Sequence, residues 1–176
     1  MKCLAIGGVP ASGKTTLMRL IINRIKPNNS FKFGLLRGHV KGQTSILGIY
    51  QKGEVFAGTD KLSMAVQADF DRYLSRQDAN IAFEGDRLFT GKNLIKLADS
   101  HDTRIVILKA DAETLKQRHL NRGDTQSEKF LKSRITKIDN ILKIDKIISC
   151  LETHEITTLS DTEDLATELT KWIHEK

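Results

Sequence analysis

"GGVPASGKTT", residues Gly7 to Thr16, directly follows the apolar run "MKCLAI". From Gly8 to Thr15 it spells G-x-x-x-x-G-K-[ST] without a gap. A loop that wraps a phosphate must turn several backbone N–H groups inward. It therefore needs glycine wherever a side chain would block the approach or φ is positive. Behind the loop, Leu17, Leu20, Ile21 and Ile25 recur at helical spacing and Pro27 ends the pattern. Strand, glycine loop and helix in that order make a phosphate cradle, with the positive end of the helix dipole aimed at the ligand. Gly8, Ala11, Ser12, Gly13, Lys14, Thr15 and Thr16 are the expected cradle residues. Lys14 is expected to reach the β- and γ-phosphates of ATP, and Thr15 to place a hydroxyl on Mg²⁺. The competing explanation is a glycine-rich turn with no ligand, and a strand before the loop and a helix after it speak against that.

Outward from the loop, short apolar runs alternate with helical patterns. "FKFGLLRGHV" and "TSILGIYQ" predict strands, separated by "KGQ" as in a hairpin. "TDKLSMAVQADFDRYLSRQ" predicts a helix capped by Thr59 or Asp60. "ANIAFEGD" and "RIVILKAD" predict buried strands, and "AETLKQRHLNRG" a helix closed by Gly123. "SEKFLKSRITKIDNILKIDKIISCLE" is long, basic and helical, with room for one break. "HEITTL" predicts the last strand. "SDTEDLATELTKWIHEK" predicts the last helix, opened by a capping box at Ser160 and Glu163. The expected fold class is α/β, a doubly wound parallel sheet covered on both faces, with a helical lid near residues 116–134. The 176 residues suffice for a single domain spanning 1–176 and are too few for two ordinary ones.

Composition excludes several classes. Hydrophobic residues make up 39% and charged residues 28%, the balance of a soluble globular chain. No apolar run approaches the ~20 residues of a membrane span. Cys3 and Cys150 form no disulfide framework, and the five histidines pair with no cysteine at zinc spacing. A cytoplasmic protein with no membrane partner is expected. The net charge of +6 is unevenly spread: +8 over residues 1–61, −2 over 62–103, +5 over 104–146 and −5 over 147–176. Two basic regions flanking an acidic middle suit a phosphate-handling or a DNA-binding surface, although solvated helix faces also account for part of the charge.

A GTPase should show D-x-x-G and N/T-K-x-D. "TKID" at Thr136–Asp139 fits the second pattern but lies in the helical stretch, and no aspartate begins D-x-x-G. The chain instead resembles the nucleotide-kinase-like branch of P-loop proteins. "IAFEGDR" puts Glu84 and Asp86 at a strand end, as uridine-kinase-like proteins place an acid before glycine. An acid there can hold the Mg²⁺ water shell or accept the proton of an attacking hydroxyl. "LKQRHLNRGDTQSEKFLKSR" resembles the lid of those kinases, with Arg118, Arg122, Lys129 and Arg134 as the charges that close over phosphates. "TLSDTED" occupies the place of their adenine-side loop, which implies a cofactor-binding role for Asp161.

The acceptor side lies between the first helix and "IAFEGDR". Arg37, His39 and Lys41 bring positive charge near a strand end, and Thr59, Asp60 and Lys61 follow a glycine. Asp60 competes with Glu84 and Asp86 for the role of general base, or simply caps a helix. Arg37, Thr59, Asp60 and Arg87 are the expected acceptor contacts, while Arg87 can instead pair with Asp86. Tyr50 and Phe56 can stack on a base or join the core. "ILGIYQKGEVFAGTDKLSMAVQ" followed by "IAFEGDRLF" resembles the phage-type P-loop kinases that include 5-hydroxymethyluracil DNA kinases. That resemblance implies ATP-dependent phosphorylation of the hydroxymethyl group of a modified base already in DNA. A kinase of a free nucleoside monophosphate or another small metabolite is the alternative, and a non-catalytic ATP-binding module is a second.

Overall fold

The computed structural model describes residues 1–51, 53–54, 56–76, 78–121, 123 and 126–175. Its centre is β1 (Lys2–Gly8), buried from Cys3 onward. β1 pairs in parallel with β5 (Asn80–Glu84) on one side and β6 (Asp102–Lys109) on the other. β4 (Thr44–Leu47) extends the sheet beyond β5, and β7 (Leu151–Glu155) extends it beyond β6, both in parallel. A strand buried on both faces carries a continuous apolar run, which is why "CLAI" and "IVIL" do not alternate. Beyond β4 the sheet is antiparallel: β3 (Leu36–Lys41) and β2 (Asn29–Phe33) fold back as successive hairpins. The full order is β2-β3-β4-β5-β1-β6-β7, so the expected parallel sheet carries an antiparallel edge.

Successive β1 side chains point to opposite faces. Leu4 and Ile6 meet α1 (Lys14–Ile25) and α6 (Leu159–His174) through Leu17, Ile21, Leu165 and Leu169. Cys3 and Ala5 face the other layer, built on α2 (Gln67–Leu74), α3 (Gly91–Ser100) and α5 (Glu128–Leu142). Phe70, Phe83 and Phe89 are fully or almost fully buried there, and burying such a side chain stabilises by about 1.5–3 kcal/mol. The remaining helix, α4 (Ala112–Asn121), buries none of its residues. No helix among the described residues is long and apolar enough to cross a membrane.

Several elements depart from the sequence expectation. The run 31–40 is two strands, because Gly34 takes φ 59° and turns the chain. The carboxylate of Asp69 accepts from the Leu35 N–H at 2.7 Å and fixes that turn from 34 residues away. The helix expected from residue 59 is α-helical only over Gln67–Leu74, and Thr59–Lys61 is a single 3-10 turn. Thr59 and Asp60 do not cap α2; they bond instead to the loop after β5. The long helical stretch breaks once, after Leu142, and resumes as a 3-10 segment over Asp145–Cys150. The last strand ends at Glu155, earlier than expected. The capping box of α6 is therefore Thr158 with Asp161 rather than Ser160 with Glu163. Helix α3, capped by the Thr90 hydroxyl, was not anticipated.

Candidate active site

The C-terminal ends of β1 and β5 open into one crevice, beside the point where strand order reverses. Open α/β sheets bind ligands at such a point. Three residues shape the loop after β1. Gly8 has φ 141°, and a Cβ there would lie 2.5 Å from the Leu108 carbonyl oxygen. Gly13, with φ 103°, opens α1. Ala11, between them, holds the left-handed region at φ 63° despite its side chain. A non-glycine residue there is strained by about 1–3 kcal/mol, the kind of strain that collects at ligand-binding loops. The first turn of α1 carries no acid, so its dipole is left for an external anion. Ser12 is fully buried with its hydroxyl unpartnered. The Lys14 ammonium donates to the carbonyls of Gly8 at 2.9 Å and Val9 at 2.8 Å, folded over its own loop.

Thr15 follows on α1 and donates its hydroxyl to Glu84 Oε1 at 3.1 Å. Glu84 ends β5 and is 2% exposed. Burial pushes its carboxyl up to about 7; the neighbouring Lys14 opposes this, and the charges of Asp60 and Asp86 add to it. The segment 58–60 packs directly onto this strand end. A Cβ on Gly58 would meet Glu84 Oε1 at 2.4 Å, and one on Gly85 would meet Thr59 Oγ1 at 2.7 Å. The two stretches "GTD" and "EGDR" are therefore held face to face by glycine. Asp60 accepts from the Arg87 backbone N–H at 3.1 Å. Desolvation in the cleft raises the Asp60 carboxyl, the Asp86 charge raises it further, and the Arg87 bond offsets part of the effect.

Asp86 is engaged elsewhere. Lys137 and Arg134 of α5 hold its two carboxylate oxygens at 2.9 and 3.1 Å, and Lys137 also donates to the Asp86 carbonyl. Arg134 in turn lies 4.5 Å over the Phe130 ring. A cleft of about 460 Å³ results, lined by Lys14, Thr15, Asp60, Glu84, Asp86, Arg87 and Arg134, with Phe56, Met64 and Phe130 among its apolar residues. On the other side of the loop lies a smaller pocket of about 240 Å³. Gly13, Thr16 and Arg118 line it, together with Ile156–Leu159. Arg118 is fixed there, donating to the carbonyls of Ala11 at 3.3 Å and Ile156 at 3.1 Å.

The structure thus brings Lys14, Thr15, Asp60, Glu84, Asp86 and Arg87 into one cleft. It separates others. Thr59 is buried, with its hydroxyl spent on the Gly85 carbonyl. The Asp161 carboxylate is spent on the backbone and hydroxyl of Thr157 and the backbone of Thr158. Thr157, Thr158, Leu159 and Thr162 line the smaller pocket, and Asp161 is not among its lining residues. Arg37 is exposed on β3, outside the cleft lining. Lys129 is exposed on α5 and Arg122 lies outside the described residues. Phe130, Met64 and Lys137 join the site without having been anticipated. Lys137 is three residues from Arg134, a helical spacing visible in sequence, but its partner Asp86 is 51 residues away.

The donor set fits a nucleotide with Mg²⁺. The loop would be filled by a Cβ at Gly8, its buried Ser12 hydroxyl lacks a partner, and a hydroxyl and a carboxylate meet at Thr15 and Glu84. Among the described residues no group of three or more His, Cys, Asp or Glu gathers to hold a metal by itself. A single carboxylate and a hydroxyl suit Mg²⁺, which keeps several waters and relies on phosphate oxygens.

No family model matches the sequence, and no curated protein matches it. Among solved structures, an uncharacterized protein from Eubacterium ventriosum aligns at 15% identity over 100% of each chain, with a TM-score of 0.47. The shikimate kinase from Acinetobacter baumannii, solved in complex with shikimate, aligns at 16% identity over 98% of this chain and 92% of that one, with a TM-score of 0.44.

Proposed function

We propose that the protein is a kinase that moves the γ-phosphate of ATP to a hydroxyl acceptor, with the hydroxymethyl group of 5-hydroxymethyluracil in DNA as the acceptor. The observation that carries the kinase assignment is the meeting of Lys14, Thr15, Glu84 and Asp60 in one cleft at the end of β1 and β5. The acceptor rests on the resemblance of residues 46–89. Exposed Phe56 and Phe130 at the same cleft support it, since they offer faces to a flat ring.

When bound, ATP supplies the transferable phosphoryl group and Mg²⁺ neutralises its charge. Gly8–Thr16 would hold the phosphates, and Thr15 and Glu84 would be the residues for Mg²⁺ and its waters. Lys14 leaves the Gly8 and Val9 carbonyls to bond phosphate oxygens. The pocket at Gly13, Thr16, Arg118 and Thr157–Leu159 takes the nucleoside end. On the acceptor side Asp60 receives the hydroxyl proton while the new oxygen–phosphorus bond forms and the β–γ bridge breaks, releasing ADP. A carboxylate whose affinity for protons is raised is the better base for this step. Asp86, already paired with two cations, serves as the anchor of α5 rather than as the base.

The test follows labelled γ-phosphate into DNA containing 5-hydroxymethyluracil, offered beside plain thymine DNA and a pool of free nucleosides and nucleotides. Label in the modified DNA alone supports the full assignment. Label only in a free compound keeps the kinase and replaces its acceptor. Lys14→Ala is expected to abolish transfer while leaving the fold intact, and transfer at the wild-type rate would remove the assignment of the loop.

A further inference from the structure

The β2–β3 hairpin has one covered face and one open face. Phe31 and Phe33 pack on Tyr73 of α2 on the covered side. The cross-strand register sets the other side. Lys32 stands directly opposite Arg37, and Ser30 opposite His39. His39 is in turn opposite Ile46, whose side chain belongs to the α1 and α6 layer. Arg37, His39 and Lys41 therefore share the α1-side face with Lys32, and Lys32, Arg37 and Lys41 are exposed there.

This face is built against its own stability. Like charges directly opposite on a sheet repel. Among the described residues neither Lys32, Arg37 nor Lys41 forms an ion pair. The cations Arg37 and Lys41 are four apart on β3, ~14 Å from a rise of about 3.4 Å per residue, with His39 between them. That is about twice the separation of neighbouring phosphates along a nucleic-acid strand. The row also has a direction. Lys41 lies at the far end, opposite Thr44, where β4 begins. Arg37 lies at the end where its carbonyl accepts from Gly48 at 2.8 Å. Gly48 in turn touches Gly58, the residue before Thr59 and Asp60. The row therefore runs along β3 from the N-terminal end of β4 toward the cleft at the strand C-termini.

We infer that the α1-side face of the β2–β3 hairpin is a docking row for the phosphate backbone of a nucleic-acid strand, leading that strand toward the Asp60–Glu84 cleft. It deepens the DNA-acceptor assignment and rests on it. The contacts are to backbone and read no sequence.

The experiment measures anisotropy of a fluorescein-labelled, unmodified single-stranded thymidine oligonucleotide across a salt series. The proteins are the wild type, Lys32→Glu with Lys41→Glu, and a control with the same charge change away from the row, Lys146→Glu with Lys171→Glu. Binding of a fluorescent ATP analogue reports that each protein is folded. Lys32→Gln with Lys41→Gln serves if the glutamates prevent folding. The row variant is expected to weaken binding for every base sequence. It should also flatten the slope of log affinity against log salt by about 0.7 for each lost phosphate contact. An equal loss in the control overturns the inference, because net charge alone would then explain it. So does a wild type that ignores the oligonucleotide, or that binds inorganic polyphosphate equally well through the same lysines. Plain DNA is no phosphate acceptor, so failure here leaves phosphotransfer intact. Failure of phosphotransfer in turn leaves this binding result standing.

Discussion

Glu84→Gln should make the protein more stable at pH 8 and inactive at every pH. Glu84 is 2% exposed, and its carboxyl is raised from 4.5 to about 7 in the folded chain. In the unfolded chain it titrates near its ordinary value. Between those two pH values the unfolded state has lost this proton and the folded state still holds it. Wild-type stability therefore falls as pH rises through that window, and above it the buried charge is carried in full. At 1.36 kcal/mol per unit, the gap amounts to at most about 3 kcal/mol. Glutamine keeps the shape and an oxygen to accept the Thr15 hydroxyl, and removes the titration. Urea unfolding of both proteins at pH 5 and pH 8 isolates this group, since other titrations cancel in the difference. The stability of Glu84→Gln relative to wild type should increase by up to about 3 kcal/mol between the two pH values. A difference that does not change with pH would refute the account of Glu84 as a buried, reluctantly ionised carboxyl. Undiminished phosphotransfer in Glu84→Gln would remove its role beside Thr15.

Gly58→Ala should destabilise by about 1–3 kcal/mol from backbone strain alone. Gly58 holds φ 78° and ψ −150°, and the new Cβ would strike Glu84 Oε1 at 2.4 Å, so activity should fall more than stability. Thermal melting and initial rates check this, and a fully active variant would contradict the packing of 58–60 on the strand end. Asp86→Asn should free Arg134 and Lys137 and loosen α5. The two ion pairs are partly exposed and cost about 1 kcal/mol or less each to lose. Amide exchange should quicken across Glu128–Leu142 while β1 stays protected, and unchanged exchange would deny Asp86 its anchoring role.

The sequence by itself determined the strand–loop–helix at residues 2–25 and the alternation of strands and helices, and it left room for one break in the long helical stretch, which the structure places after Leu142. These are local: an apolar run, a glycine with positive φ and a period of 3.6 act within a few residues of each other. The capping box expected at Ser160 and Glu163 is instead Thr158 with Asp161, because β7 ends at Glu155 and the last helix begins at Leu159. The three acids of the site were legible as a set, not as roles. Asp86 is paired with Arg134 and Lys137, two cations of α5 far along the chain. Glu84 became a buried acid because Gly58 lets a distant segment close over it. The helix expected from Thr59 gave way for the same reason. Its first residues are held by hydrogen bonds to the Gly85–Arg87 loop, while Leu62 and Val66 stay buried in the core without the segment continuing as a helix. Which carboxylate holds a proton is decided by what surrounds it, and these surroundings come from chain segments that meet only in the folded protein.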